Sequence, residues 1–382
     1  MIHNPTIIDI PEEWGILRDI RNPKHLYKEF TYGKTFDETY DYTTLFYGAF
    51  KFGDKAILIG PPLLNIKDFI KNNITITDGK NTLEFNTSEL DRCEVFVIDL
   101  VGEVSSIQFL CGEESVLDIP LDNRSEKYDD KKIIFTMQKD ETIDSIKTYI
   151  SYYRDLFNID GFVIFDNDSK NYSIEELHSS LEDMGVEYEI INWPLRHGPI
   201  GPPWDSEYGR IGAFQYLKYK FGFNCKCVVN LDVDEMLICE HSLDEVIESM
   251  IDQNVDTISV QSRNISRYTP NADKNFELGS IKNYYYYHPK DNEIDGERSS
   301  MVKWITLPKY SNRYCWTTHF VLSPSSTHAE EIYYAHMWIF CSPNHSIKNA
   351  GTNVLDSRFT IHESGYLEDL DLKNNLSKVN YV

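Results

Sequence analysis

The sequence predicts an α/β protein, a mainly parallel twisted sheet flanked by helices, preceded by a smaller β-rich unit. Three observations carry this. From Ile133 onward, apolar strand-like runs alternate with stretches of helical period. Between about Ala56 and Asp122, short apolar runs are separated by Gly, Asn and Asp. The 382 residues also exceed the usual single core, allowing roughly two domains of ~100–200 residues each. With 41% hydrophobic and 26% charged residues, the chain has the composition of a globular protein, which excludes a disordered or collagen-like one.

Residues 1 to about 50 are rich in Tyr and Phe but show no clean period, and they stay unassigned. The β-rich unit is read from Ala56–Ile59, Ile74–Thr77, Val95–Ile98 and Ile107–Leu110. A polar, turn-rich stretch from Asp122 to Asp130 closes it, so the organisation expected is an accessory unit over 1–130, the main domain over 131–345 and an extension over 346–382. In the main domain Lys132–Met137 reads as a buried strand, and Ile143, Ile146, Ile150, Tyr153 and Phe157 recur at helical spacing. Phe162–Phe165 is a second strand. Ser173 and Glu176 then form a capping box ahead of a helix whose inner face is Ile174, Leu177, Leu181 and Met184. Val186–Ile191, a helix near Tyr208–Tyr219 and the apolar strand Cys227–Leu231 continue the alternation, which implies right-handed crossovers and a mainly parallel sheet.

Lys and Arg number 37 against 61 Asp and Glu, a net charge of -24 whose repulsion argues against nucleic acid or anionic lipid as partners. An acidic chain can still hold a diphosphate if a divalent cation neutralises both sides. No basic, apolar leader opens the sequence and no run approaches ~18 apolar residues, so a soluble cytoplasmic chain without a membrane span is expected. The seven cysteines are scattered without a zinc-like pairing, which fits reduced thiols in the cytoplasm.

In open sheets of this kind ligands bind beyond the carboxyl ends of the strands. There lies Leu231-Asp232-Val233-Asp234-Glu235, after an apolar strand and before a helix capped by Ser242 and Glu245. Alternation along a strand would put Asp232 and Asp234 on one side, where two hard oxygen ligands suit Mg²⁺ or Mn²⁺. Two further polar strand ends, Lys139-Asp140-Glu141 and Asp166-Asn167-Asp168-Ser169, would ring the same edge. There Asp166 can accept from a base N–H and Lys139 can approach a phosphate.

These segments, with Trp193-Pro194 between them, resemble the glycosyltransferases of the GT-A fold, specifically family 92 and related family-2-like proteins. The resemblance is best from Ile133 to Leu237 and thinner to about Phe340. It implies a GT-A type nucleotide-binding domain in which Lys139, Asp166 and Asn167 embrace the nucleoside of a nucleotide-sugar donor. Asp232 and Asp234 would bridge its diphosphate through Mn²⁺ or Mg²⁺. Downstream, Ser300–Ile305 with Lys303, then His319, then Tyr334–Met337 look like the family's Lys-containing strand, its following His and its late His-Tyr element. His336 would add a third metal ligand, and Lys303 and His319 would serve the donor or acceptor site. Trp193, Trp204, Trp316 and Trp338 are candidates for stacking on sugar rings, with core packing the default for each.

The implied reaction is attack by a hydroxyl of a glycan or other acceptor on the anomeric carbon of a UDP-sugar, with inversion. A hexosyltransferase of polysaccharide biosynthesis is the expectation. Inversion needs a carboxylate base within reach of the acceptor. Asp256, Glu277, Glu293, Asp295 and Glu297 fall in the acceptor-facing region, and Glu277 is the choice. The aromatic segment Asn264–Lys290 would form the acceptor surface or an edge strand. Two alternatives stand beside this reading: a haloacid dehalogenase-like phosphatase with Asp232 as nucleophile, and a noncatalytic carbohydrate-binding protein.

Overall fold

A computed structural model of the chain describes residues 1–20, 36–112, 115–196, 198, 207–266, 282, 284–289, 293–294, 297–298, 302–337 and 365–379. Its frame is a nine-stranded sheet. In chain order the strands are β1 (Ile2–His3), β2 (Lys132–Gln138), β3 (Gly161–Asp166), β4 (Glu187–Asn192), β5 (Cys227–Asn230), β6 (Glu235–Ile238), β7 (Thr257–Asn264), β8 (Val302–Thr306) and β9 (Ser326–His336). The helices that cover it are α1 (Ile143–Phe157), α2 (Ile174–Glu182), α3 (Tyr208–Leu217), α4 (Leu243–Asp252) and α5 (Leu370–Lys378). Across the sheet the order is β1-β4-β3-β2-β5-β8-β7-β9-β6.

The strands from β1 to β5 in that order run parallel. Beyond β5 the sheet is mixed: β8 is antiparallel to both β5 and β7, β7 is parallel to β9, and β9 is antiparallel to β6. The expected parallel sheet therefore describes one half of what forms. Burial on both faces explains the near-continuous apolar character of β2 and β3. Ile134 packs with α1, α2 and α4 on one face, whereas its neighbours Ile133 and Phe135 pack with α3 on the other, as strand alternation requires.

The capping boxes at Ser173–Glu176 and Ser242–Glu245 form as expected and fix the starts of α2 and α4. Thr142 caps α1 by accepting from Ser145 N–H, and Asn158 ends that helix in the left-handed region (φ 49). After Leu217, α3 widens into a π-helical turn over Lys218–Gly222.

Besides a two-stranded pairing of Ile8–Asp9 with Thr44–Phe46, residues before 124 build two further sheets. One has five strands, with Gly48–Phe52, Lys55–Gly60 and Cys93–Asp99 at its centre, and the other has three, centred on Ser106–Cys111. Phe36, Tyr40, Tyr47, Phe50 and Ile57 from this part share a core with Phe135, Phe165, Trp193 and Phe214. At Gly212 on α3 the approach is so close that a Cβ would lie 2.4 Å from the Tyr47 ring. Among the described residues no helix is long and apolar enough to cross a membrane.

The unassigned N-terminus joins the large sheet. Ile2 and His3 pair with Ile190 and Ile191, and His3 Nε2 lies 2.6 Å from Glu189 Oε2, while Lys127 Nζ is 2.8 Å from Oε1. Burial alone would raise the Glu189 carboxyl, but the His3 and Lys127 contacts outweigh it and hold it below the usual range. A depressed carboxylate stabilises the fold above the unfolded-chain value and loses that contribution as pH falls through the folded value. Glu189→Gln should cost about 2 kcal/mol at neutral pH. In urea titrations the gap to wild type should close as pH falls below about 4; a gap independent of pH would show that charge plays no part.

Candidate functional site

The parallel strands end together: Gln138 pairs with Asp166, Asp166 with Asn192, and Phe135 with Asn230. After Asn230 the chain must leave the ladder, because β6 lies at the far edge of the sheet. Residues 231–234 therefore form a turn, closed by Glu235 N–H donating to the Asp232 carbonyl (3.0 Å). This corrects the alternation argument. Asp232 and Asp234 lie on a turn, not in one strand, and they face different partners.

Three tyrosines of α1 hold that turn. Tyr149 donates to the Leu231 carbonyl (2.9 Å), and Tyr152 to the Leu237 carbonyl (2.8 Å). Tyr153 donates to the Glu235 carbonyl (2.6 Å) and accepts from Leu237 N–H (3.0 Å). Burial pushes the Tyr149 and Tyr153 phenols well above their usual value, so they remain donors. From the other side, Glu235 pairs with His336 across β6 and β9, and Met337 N–H donates to the Asp234 carbonyl (2.7 Å).

Two groups of side chains follow. Asp234 Oδ2 lies 3.1 Å from His336 Nε2, and one ligand atom each from Asp234, Glu235 and His336 lie within 4.8 Å of one another. Two carboxylate oxygens and an imidazole make a donor set that suits Mn²⁺ or Mg²⁺. Beside it, the buried Lys303 ammonium bridges Asp232 Oδ2 (2.5 Å) and Glu235 Oε2 (3.0 Å), and Arg210 reaches Asp232 at 3.4 Å. Compared with the ligands expected from sequence, Asp234 and His336 come together, Glu235 joins them, and Asp232 faces Lys303 instead.

The electrostatics match this division. Burial would raise Asp232, but Lys303 and Arg210 outweigh it and hold its carboxyl low. Burial pushes Glu235 up to about 7 against the pull of Lys303. Burial would lower His336, yet Asp234 raises it, so a proton and a metal ion would compete for the same lone pair.

The other expected contacts are placed as follows. Asp166 is buried and accepts from Gln138, from the Tyr172 hydroxyl (2.9 Å) and from Ser169 N–H (2.9 Å). Asn167 donates to the Trp193 and Leu195 carbonyls at 2.8 Å each, so its side chain braces the strand ends. Lys139 is exposed just past Gln138. Trp193 and Trp316 are fully buried core residues. Asp256, named as a base candidate, sits at the amino end of β7, opposite the site, and accepts from Ser323 Oγ (2.5 Å). Glu277, Asp295, Trp204 and Trp338 lie outside the described residues, as do the side chains of Glu293 and Glu297. In the aromatic segment Tyr284, Tyr285 and Tyr286 are buried, and Tyr286–Tyr287 pair with Leu367–Glu368.

Sequence reasoning missed Arg210. It stands in the first turn of α3 with its Nε buried and without a hydrogen-bond partner among the described residues. A lone Arg at a helix start carries no signal of its own.

No family model matches the chain, and no curated protein sequence does. Among solved structures it is similar to core-mannan synthase A from Aspergillus fumigatus in its Mn/GDP form, at 11% identity and a TM-score of 0.25, covering 36% of this chain. It is also similar to HddC from Yersinia pseudotuberculosis, at 13% identity and a TM-score of 0.28, covering 54% of this chain and 92% of that one. A third is S. aureus TarS 1-349 in complex with UDP, at 10% identity and a TM-score of 0.30, covering 54% of this chain and 60% of that one. The chain spans 44% of the mannan synthase.

The tyrosine row gives a direct test of how the acidic turn is held. Tyr153→Phe removes a buried hydroxyl that serves two backbone groups and should cost about 1–3 kcal/mol in urea unfolding. A variant as stable as wild type would show that the turn does not depend on the Tyr153 hydroxyl.

Proposed function

We propose that the chain is a metal-dependent glycosyltransferase that moves a sugar from a nucleotide-sugar donor, a UDP-sugar, to a hydroxyl of a glycan with inversion. The observation that carries this is the cluster of Asp234, Glu235 and His336, at the edge of the mixed sheet where the parallel strands β2 to β5 end, beside a buried Lys303. Bound there, Mn²⁺ or Mg²⁺ would supply positive charge to the leaving diphosphate. Asp234, Glu235 and His336 would hold the ion. Asp232 fixes Lys303 at its side, where the ammonium faces the same diphosphate; by the family resemblance Asp232 would also touch the ion once the donor binds. Asp166, Asn167 and the neighbouring Lys139 form the strand-end wall against which the nucleoside rests.

The phosphatase alternative needs Asp232 and Asp234 to work on one phosphoryl group as nucleophile and acid. Their side chains turn to Lys303 and to His336 respectively, which suits ion binding better.

Calorimetry of UDP in the presence of Mn²⁺ tests the reading. Asp234→Asn should weaken Mn²⁺-dependent UDP binding about 10- to 100-fold with the fold intact by circular dichroism, and EDTA should abolish nucleotide release from the donor. Full turnover in the presence of EDTA would overturn the proposal.

A further inference from the structure

The turn 317–320 lies over the same edge of the sheet, and two hydrogen bonds place it there. Asn230, the last residue of β5, donates from Nδ2 to the Thr318 carbonyl (2.9 Å). The next residue, His319, has Nδ1 2.9 Å from the Val302 carbonyl at the start of β8. Because β5 and β8 are antiparallel with Asn230 opposite Trp304, Val302 is level with the position two residues past Asn230. That position is Asp232. His319 thus stands at the height of the acidic turn, beside the residue that precedes Lys303.

The Val302 carbonyl also settles the tautomer. A carbonyl oxygen only accepts, so Nδ1 carries the proton of the neutral ring and Nε2 keeps a lone pair. Nε2 has no hydrogen-bond partner among the described residues. Burial lowers the imidazole below its usual value, with Lys303 and Arg210 acting in the same direction. A neutral ring with a free lone pair is the form a general base needs.

Next to it stands an apolar surface. Phe320 is 52% exposed, with its ring centroid 6.3 Å from that of His319 at an interplanar angle of 65°. The C–H face of a sugar ring can rest on such an aromatic face while its hydroxyls reach outward.

We infer that the 317–320 turn is the acceptor subsite, with His319 the catalytic base for an acceptor sugar hydroxyl and Phe320 the surface under that sugar's ring. This rests on the glycosyl-transfer reading above and replaces the unplaced carboxylate as base. The hydroxyl oxygen bonds to the anomeric carbon as the bond from that carbon to the diphosphate oxygen breaks. The bonding pair leaves with the nucleoside diphosphate, the hydroxyl proton moves to Nε2, and the imidazolium returns it to solvent.

The full chain is assayed with Mn²⁺ for nucleotide release from UDP-glucose, UDP-galactose, UDP-N-acetylglucosamine and GDP-mannose, with glucose, galactose, lactose and cellobiose as acceptors. His319→Asn keeps a donor for the Val302 carbonyl and removes Nε2. It should lower acceptor-dependent kcat on the order of 100- to 10,000-fold and leave Mn²⁺–UDP binding by calorimetry unchanged. Phe320→Ala should raise the acceptor KM several-fold. A kcat within about threefold of wild type in His319→Asn, far short of what a general base contributes, overturns the assignment. So does a parallel loss of Mn²⁺–UDP binding, because the residue then acts through the donor site. A wild-type chain that releases nucleotide from none of the donors sinks the transferase reading itself, and the base with it.

Discussion

A buried lysine ammonium sets the terms for the acidic turn. Lys303 lies between Asp232 and Glu235, two carboxylates that would repel each other and Asp234 if left alone. At ~4 Å and an effective dielectric of ~20, unit charges interact by ~4 kcal/mol, a repulsion the turn's other ties must also resist. Against the three acids stand the Lys303 ammonium, the Arg210 guanidinium and the His336 ring, which Asp234 raises. Burial, resisted by Lys303 and reinforced by Asp232 and Asp234, leaves Glu235 pushed up to about 7. A divalent cation beside Asp234, Glu235 and His336 would displace the His336 proton and tip Glu235 to its charged form.

The turn can carry this charge only because its backbone is fixed elsewhere. Leu231, Glu235 and Leu237 each have a backbone group bonded to a tyrosine of α1, about eighty residues earlier in the chain. Asn375 on α5 donates to the Tyr152 hydroxyl at 3.4 Å, and Leu372 and Leu376 pack into the same core. Arg263 on β7 is held between the Tyr287 and Tyr333 rings and pairs with Asp369, which caps α5. The C-terminal helix is thereby tied to β7 and to β9, whose end supplies His336 and leads into Met337. Preorganisation of the acidic cluster is distributed over elements with no chemistry of their own.

Much of this was legible in the sequence. The strands β2 to β5 and helices α1 to α4 announce themselves because buried strands are continuously apolar and covering helices repeat Ile, Leu and Tyr at helical spacing. The same logic failed for β1, whose two residues are too short to show a period, and for the mixed half of the sheet. There, long-range pairing rather than local pattern decides direction. Strand alternation also misled at Asp232 and Asp234, since nothing in Leu-Asp-Val-Asp-Glu says that the ladder stops at Asn230. Only the position of β6 at the opposite edge forces the chain to turn there. Glu235 was read as the end of a motif, yet its place on β6 opposite His336 makes it a member of the cluster.

The charge at this edge also bears on the choice of base. A fourth carboxylate placed among Asp232, Asp234 and Glu235 would add repulsion while the site waits and would itself be driven towards its protonated, inactive form. A neutral imidazole adds no charge at rest. In the proposed transfer it would become positive only as the proton arrives, when negative charge would grow on the departing diphosphate, so the two changes would offset each other. Lys303 and Arg210 near His319 work against early protonation, and the Val302 carbonyl keeps the lone pair on Nε2. A histidine at the rim of so acidic a site therefore meets a constraint that a glutamate there would not.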